Sequence, residues 1–520
     1  MYQNNQILIG KTPQGKEEFL NLSMANRHGI VAGATGTGKT TSVKVLVEGF
    51  SDAGVPVLIS DVKGDPSSLA NPSTPSEKTR KRIKALQLNV EDFTNHACPV
   101  RFWDVLGKTG IPVRAEISDM GPLLLAEILD LNPTQKGVLQ IVFKAADDLG
   151  WEMIDFKDLK AMLSYASEHR KELSEKYGNI APATLSALQR SLLSLEEEQA
   201  EQFFGQPQLN FSDWMVRDHN GKGVINILQS RDLSSSPALY SAFLIWMLSS
   251  LYDELPEAGD LDKPKFVMVF DEAHLLFENA DKALIVKLRQ VIKLIRSRGV
   301  GIYFISQSLQ DIDEEVLGQL QNRIQHGLHA YTPKDRTALR SAADSFRSNP
   351  DFDTAETISN LGIGQAVVSF LDENGVPSIS EKVDILPCQS SFEAIDPARI
   401  EAIIEQDPLY DQYREAVDEI SAYERFEEAR KQQADQEEQK KASTGKAQSR
   451  PSSGSSSQKK TASPLEKSIK KAARSTARSI GRETGKSITR SIMGNKSKTA
   501  KAASTMAGSL LADVFGSLFK

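Results

Sequence analysis

One stretch constrains this chain more than any other: Gly33-Ala34-Thr35-Gly36-Thr37-Gly38-Lys39-Thr40. It follows the apolar run His28-Gly29-Ile30-Val31-Ala32 and opens a helical stretch from Thr41 to Phe50. The pattern is G-x-x-x-x-G-K-[ST], a loop whose backbone N–H groups wrap phosphates. Such a loop needs a strand before it and a helix after it, so it commits the region to an α/β fold. Lys39 can reach the β- and γ-phosphates, and Thr40 can hold Mg²⁺. The helix that follows points its positive N-terminus at the same charge. The expected binding set is Gly33, Ala34, Thr35, Gly36, Thr37, Gly38, Lys39, Thr40 and Thr41. A glycine-rich strand–helix turn without a ligand is the alternative.

A phosphate loop alone gives binding. Hydrolysis also needs a carboxylate on Mg²⁺ and a group that orients water. Phe266-Val267-Met268-Val269-Phe270-Asp271-Glu272 supplies both residue types at the end of an apolar run. Ligands of parallel sheets sit at the carboxyl edge of the strands. There Asp271 would hold the Mg²⁺ shell through water, and Glu272 would polarise the attacking water. The next strand ends in Ser306-Gln307-Ser308, where Gln307 could report loss of the γ-phosphate; a plain polar strand exit looks the same. Asp61-Val62-Lys63-Gly64-Asp65 also follows a strand. Asp61 and Lys63 either line the site, contact a neighbouring subunit, or form an Asp/Gly turn. A guanidinium can speed phosphoryl transfer by ~10³–10⁵. Arg323 is the favoured finger, supplied across a subunit interface, ahead of Arg298 and Arg296.

Charge is segregated along the chain. The formal net charge is −7, yet Lys440 to Lys520 holds 18 Lys and Arg against 3 Asp and Glu. An acidic body therefore carries a basic tail. No apolar run reaches the ~20 residues of a membrane span. The longest, Ala242 to Leu251, reads as a buried helix. The N-terminus lacks the layout of a secretory signal. Cys98 and Cys388 lie far apart with no ligand spacing, which argues against a disulfide framework or zinc site. A cytoplasmic setting is expected.

At 520 residues, a length prior suggests about three units. Residues 1–28 form a short segment with one strand-like run, Gln6 to Gly10. Residues 29–110 alternate strands and helices, as a parallel sheet covered on both faces requires. Residues 111–222 carry helical periodicity in Pro133–Leu149, Lys157–Tyr177 and Pro182–Phe204, and read as a helical insertion. Residues 223–387 resume the sheet. They end in a hairpin, Gln365–Asp372 and Val376–Val383, around Asn374-Gly375. Residues 388–441 are helical, from Asp396-Pro397 to about Lys441. Residues 442–520 are a basic low-complexity tail, disordered or helical, with an amphipathic basic pattern over Ser463–Met493.

Two short motifs mislead. Asp271-Glu272-Ala273-His274 spells the signature of DEAH-box RNA helicases, but Asp271 lies too far from Lys39, and the later motifs of that family are missing. His326-Gly327-Leu328-His329 suggests a metal pair, but no third ligand stands at the right spacing.

The phosphate loop, the distant DEAH strand and the SQS strand end together resemble the HerA/FtsK class of additional-strand P-loop ATPases, and within it a bacterial, YjgR-like HerA group. The resemblance rests on IVAGATGTGKTTSVKVL, VLISDVKGD, VMVFDEAHLLF, GIYFISQS, QNRIQHGLHAYTPKD and NPDFDTAETISNLGIGQAVVSFLDENGVPS. It covers about Asn5 to Pro387. It implies a RecA-like core with a mainly parallel sheet, ATP and Mg²⁺ as ligands, ATP hydrolysis, and a homo-oligomeric ring, hexamer favoured, with sites between subunits. Carried over, Lys39, Thr40, Asp271, Glu272 and Gln307 take the roles given above. Only 32 residues precede Gly33, too few for the N-terminal barrel of HerA helicases, so a core without nuclease docking is expected.

Three functions compete. A ring ATPase that moves DNA fits the resemblance and the basic tail, since basic arms neutralise phosphates without sequence specificity. An ATPase switch on protein or membrane partners fits the acidic body, and the basic amphipathic segment suits an anionic membrane surface. A small-molecule kinase would use the helical insertion as a lid, but Asp271, Glu272 and Gln307 point to water as the nucleophile.

Overall fold

The computed structural model describes residues 1–278 and 282–444. Met1–Ala146 with Trp151–Lys441 make up one unit of the chain, and the sheet lies within it. Among the described residues, thirteen strands join one sheet. In chain order they are β1 Tyr2–Gln3, β2 Gln6–Lys11, β3 Glu17–Asn21, β4 Gly29–Ala32, β5 Val57–Asp61, β6 Val100–Asp104, β7 Ile111–Pro112, β8 Ile225–Gln229, β9 Phe266–Phe270, β10 Val300–Ser306, β11 Asn322–His326, β12 Gln365–Ser369 and β13 Glu381–Ile385.

Eight of these strands run parallel, in the order β11-β4-β10-β9-β5-β8-β6-β7. Continuous apolar runs such as Phe266–Phe270 suit strands covered on both faces, and every residue of β9 and β10 is buried. β10 stands between β4, which carries the phosphate loop, and β9, which carries Asp271-Glu272. This interposed strand is the additional strand that the resemblance implied, and the fold class is the expected α/β one.

Helix α1, Lys39–Asp52, buries Val43, Val45, Leu46, Val47 and Phe50 against the sheet. Gly49 allows its close approach to β2, because a Cβ there would stand 2.3 Å from Ile7 Cγ2. The helix Pro237–Glu254 is apolar on nearly all sides and buried along most of its length. Burial all round marks an interior helix. Among the described residues, no helix is long and apolar enough to cross a membrane.

The first 28 residues do more than expected. β1, β2 and β3 form an antiparallel wing that joins the sheet where β2 pairs β13. The hairpin turn forms, with Gly375 at φ +75° and Asp372 N–H donating to Val376 O. Its regular strands, however, are β12 and the later β13, not Val376–Val383. Pro377 lacks the N–H that a continuous ladder needs.

Helical periodicity is broken more often than the pattern suggests. Lys157–Tyr177 is two helices, Phe156–Glu168 and Arg170–Tyr177. Pro182–Phe204 divides into Pro182–Glu197 and Ala200–Phe203, with Gln199 at φ +65° between them. After Asp396 come three helices, Pro397–Gln406, Tyr410–Tyr413 and Ala422–Thr444. Pro408 ends the first, since proline cannot donate to a preceding turn. The amphipathic basic pattern over Ser463–Met493 lies outside the described residues.

Candidate nucleotide-binding site

The phosphate loop holds its shape through positive φ angles at Gly33 (+150°), Gly36 (+79°) and Gly38 (+110°). Two of these glycines are also hemmed in. A Cβ on Gly33 would stand 2.5 Å from His326 Cβ, and one on Gly38 would stand 2.9 Å from Gly364 N. The loop is tied from outside: Ala34 N–H donates to Gly327 O at 3.0 Å, and Gly364 N–H donates to Thr37 O at 2.9 Å. Gly38 caps α1 with no side-chain hydrogen bond. The first N–H groups of a helix need acceptors; those of Thr41 and Ser42 donate to Gly38 O, while Gly38, Lys39 and Thr40 line a cavity. Lys39 Nζ folds back on Gly33 O (2.5 Å) and Ala34 O (3.1 Å). Burial pushes its ammonium pKa down, against the pull of Glu272 and Asp271.

The carboxylates arrive from β9. Asp271 N–H donates to Ser60 Oγ of β5 at 2.9 Å, and Asp271 Oδ1 accepts from Glu272 N–H at 2.9 Å. Burial, then the neighbouring Glu272, raises the Asp271 pKa to about 6. Glu272 sits at φ +49°. Its carboxylate pairs with Lys63 Nζ on one side and lies 3.1 Å from His274 Nδ1 on the other. The hydrogen bond to Glu272 raises the Lys63 pKa. Thr40 Oγ1 donates to Asp65 Oδ2 at 3.3 Å.

A cavity of about 390 Å³ gathers Lys39, Thr40, Lys63, Asp65, Asp271 and Glu272 on one wall system. Uncapped N–H groups and an ammonium suit phosphates, and carboxylate and hydroxyl oxygens suit a hard divalent cation. These residues therefore fit a magnesium nucleotide. Gln307 is exposed and lines an adjoining cleft of about 1000 Å³ with Ala34, Thr35 and His274.

Other predicted residues stand elsewhere. Asp61 is a turn residue, accepting from Gly64 N–H (2.5 Å), Ser67 N–H (3.0 Å) and the Ser67 hydroxyl. Arg323 lies at the start of β11, the end of the sheet away from the phosphate loop. Its guanidinium donates to Leu320 O (3.1 Å) and Leu317 O (3.4 Å). Arg298 precedes β10 and stacks 4.8 Å from the Tyr252 ring. His326 is buried, with Nε2 2.8 Å from Ser42 Oγ. Among the described residues, no group of acidic, His and Cys side chains is arranged to hold a metal by itself. Sequence reasoning missed the Lys63–Glu272 pair, the Ser42–His326 contact and Asp65 beside Thr40. The DVKGD turn after β5 was the one available signal for the first and last.

Residues 6–501 match the family described as Helicase HerA-like C-terminal. The DNA double-strand break repair helicase HerA of Saccharolobus solfataricus is 24% identical over 370 residues, 70% of this chain and 66% of that protein. The probable helicase MJ1565 of Methanocaldococcus jannaschii is 22% identical over 383 residues, 71% of this chain and 65% of that protein. The chain thus spans just under two thirds of the length of these relatives. Among solved structures, the bacterial conjugative coupling protein TrwBdeltaN70 aligns with 76% of this chain and 92% of its own, at 15% identity and a TM-score of 0.49. VirB4 of Thermoanaerobacter pseudethanolicus aligns with 74% and 97%, at 17% identity and a TM-score of 0.46. From the match across most of its length, the chain belongs to the helicase HerA-like C-terminal family.

Proposed function

We propose that this chain is a Mg²⁺-dependent ATP hydrolase of the HerA/FtsK class that works as a homo-oligomeric ring, hexamer favoured, and moves DNA. One observation carries the reading. A single cavity gathers the phosphate loop and, across the interposed β10, the Asp271-Glu272 pair. Phosphate binding and water activation thereby meet in one place.

When bound, Mg·ATP supplies the labile anhydride and the charge that balances it. The loop N–H groups from Gly36 to Thr40 hold the phosphates, and Lys39 leaves its carbonyl partners to neutralise them. Thr40 and Asp271 would hold the cation. Glu272 accepts the proton of the attacking water, and Gln307 reads the outermost phosphate from the adjoining cleft. Arg323 and Arg298 both stand at the strand ends away from their own phosphate loop, so either acts only across a subunit interface. Arg298 would have to leave the Tyr252 ring, and Arg323 its two carbonyls.

The names of the two archaeal relatives as helicases favour DNA as the cargo. ATP turnover by the full chain at low salt, with and without duplex DNA, tests this. Stimulation that fades as salt rises is expected. No stimulation leaves the second reading, a switch on protein or anionic membrane partners through the basic tail, which sedimentation with anionic vesicles would reveal.

A further inference from the structure

Glu272 is the side chain on which turnover depends in the reading above, and both of its oxygens are occupied. Oε1 accepts from Lys63 Nζ, and Oε2 stands 3.1 Å from His274 Nδ1. The backbone at Glu272 is itself unusual. Its φ of +49° lies in the left-handed region, which non-glycine residues enter at a steric cost. The backbone there is held by Glu272 N–H donating to Asp271 Oδ1 and by Leu275 N–H donating to Glu272 O.

Lys63 comes from the loop after β5, the neighbour of β9 in the sheet. The loop backbone is fixed from two sides. Asp61 Oδ1 accepts from Gly64 N–H, and Arg231 donates to Lys63 O at 3.1 Å and to Val62 O at 3.4 Å. The side chain is less confined: Lys63 is 53% exposed, whereas its Glu272 partner is 10% exposed. A lysine head is a compact charge on a flexible stem, so it can release Glu272 without any backbone shift. While paired, Oε1 is taken by the ammonium and is not free to meet an attacking water.

We propose that Lys63 is a positioning residue that latches Glu272 in a non-productive pair and so keeps unstimulated turnover slow. The latch rests on the ATP-hydrolase reading. His274 shares the carboxylate and also lines the adjoining cleft with Gln307. Displacement on the cleft side therefore reaches the same carboxylate.

The test uses the full chain as wild type, Lys63→Ala, Lys63→Arg and Glu272→Gln, with phosphate release measured over a range of ATP concentrations. Lys63→Ala should raise unstimulated kcat by about 3–10-fold with KM changed less than about twofold. Lys63→Arg, which keeps the charge, should stay near wild type. A merely structural Lys63 would lower the melting temperature and kcat together, and a phosphate-binding Lys63 would raise KM with kcat unchanged. Either result, or an unchanged kcat, overturns the latch. Turnover that persists in Glu272→Gln, or is absent from both wild type and Lys63→Ala, overturns the hydrolase reading along with it. Turnover lost in Glu272→Gln but not raised in Lys63→Ala overturns the latch alone.

Discussion

Ser42 Oγ stands 2.8 Å from His326 Nε2, and the contact ties the helix after the phosphate loop to the strand beside it. Both side chains are buried. Burial, then the nearby Lys39 charge, lowers the His326 pKa to about 4, so the ring is neutral at pH 7. Its Cβ also fills the space over Gly33. The loop is thus braced from β11 as well as from its own helix. Ser42→Ala should cost about 1–2 kcal/mol in urea unfolding, by leaving the buried imidazole nitrogen without a partner. Nucleotide affinity should fall with it. An unchanged unfolding midpoint would count against the brace.

The three loop glycines should differ in sensitivity. Alanine at Gly38 meets both a positive φ and the Gly364 backbone, whereas alanine at Gly36 meets only the φ. Gly36→Ala should therefore cost about 1–2 kcal/mol of strain, and Gly38→Ala more. Nucleotide binding, measured by fluorescence of a labelled ATP, should weaken in the same order. Equal losses would mean that the Gly364 contact is unimportant.

His28 supplies a pH dependence. Its Nδ1 accepts from Ile302 N–H at 3.0 Å, and its Nε2 stands 2.8 Å from Ile292 O, so the neutral ring is satisfied on both sides. Burial lowers its pKa to about 4, helped by Arg296. The folded value lies below the unfolded one of about 6.5. The unfolded chain therefore binds the extra proton, and the stabilisation, complete above about pH 6.5, is lost as pH falls toward 4. Between pH 7 and pH 5 the loss is about 2 kcal/mol. The drop in melting temperature over that range should be smaller in His28→Asn than in wild type. An identical drop in both would contradict the assignment.

Asn226 is a buried junction in the parallel sheet. It accepts from Trp103 Nε1 at 2.9 Å and donates to Val57 O and Trp214 O at 3.2 and 2.9 Å. Asn226→Leu strands these partners, at about 1–3 kcal/mol for each group left unpaired. A fall in stability with the candidate nucleotide site intact is expected. Chemical denaturation, with nucleotide affinity measured on the folded fraction, checks both halves.

What the sequence made legible follows from the range of each interaction. The phosphate loop and Phe266–Glu272 stand out because each carries its signal within a few neighbouring residues, and both sit at the predicted strand ends. β1 and β3 did not stand out, since β1 has two residues and β3, Glu17-Glu18-Phe19-Leu20-Asn21, lacks the apolar run that marks β5 and β9. The Lys63–Glu272 pair joins residues 209 positions apart, and only the adjacency of β5 and β9 brings them together. The loop-side role of Gly364 likewise depends on sheet order, because β12, paired with β11, begins just after Gly364 and brings it beside Thr37. Arg323 reads as a free finger in sequence, whereas the structure engages it with the carbonyls of Leu317 and Leu320.

In the proposed function Lys39 and Glu272 serve one nucleotide, the first by binding and the second by activating water. The most direct test is Mg²⁺-dependent phosphate release from ATP, measured with equilibrium ATP binding, in wild type, Lys39→Ala and Glu272→Gln. Turnover is expected in wild type, with binding lost in Lys39→Ala, and with binding retained but turnover reduced by at least about 10²-fold in Glu272→Gln. Turnover that survives Glu272→Gln, or ATP binding that survives Lys39→Ala unchanged, would contradict that function.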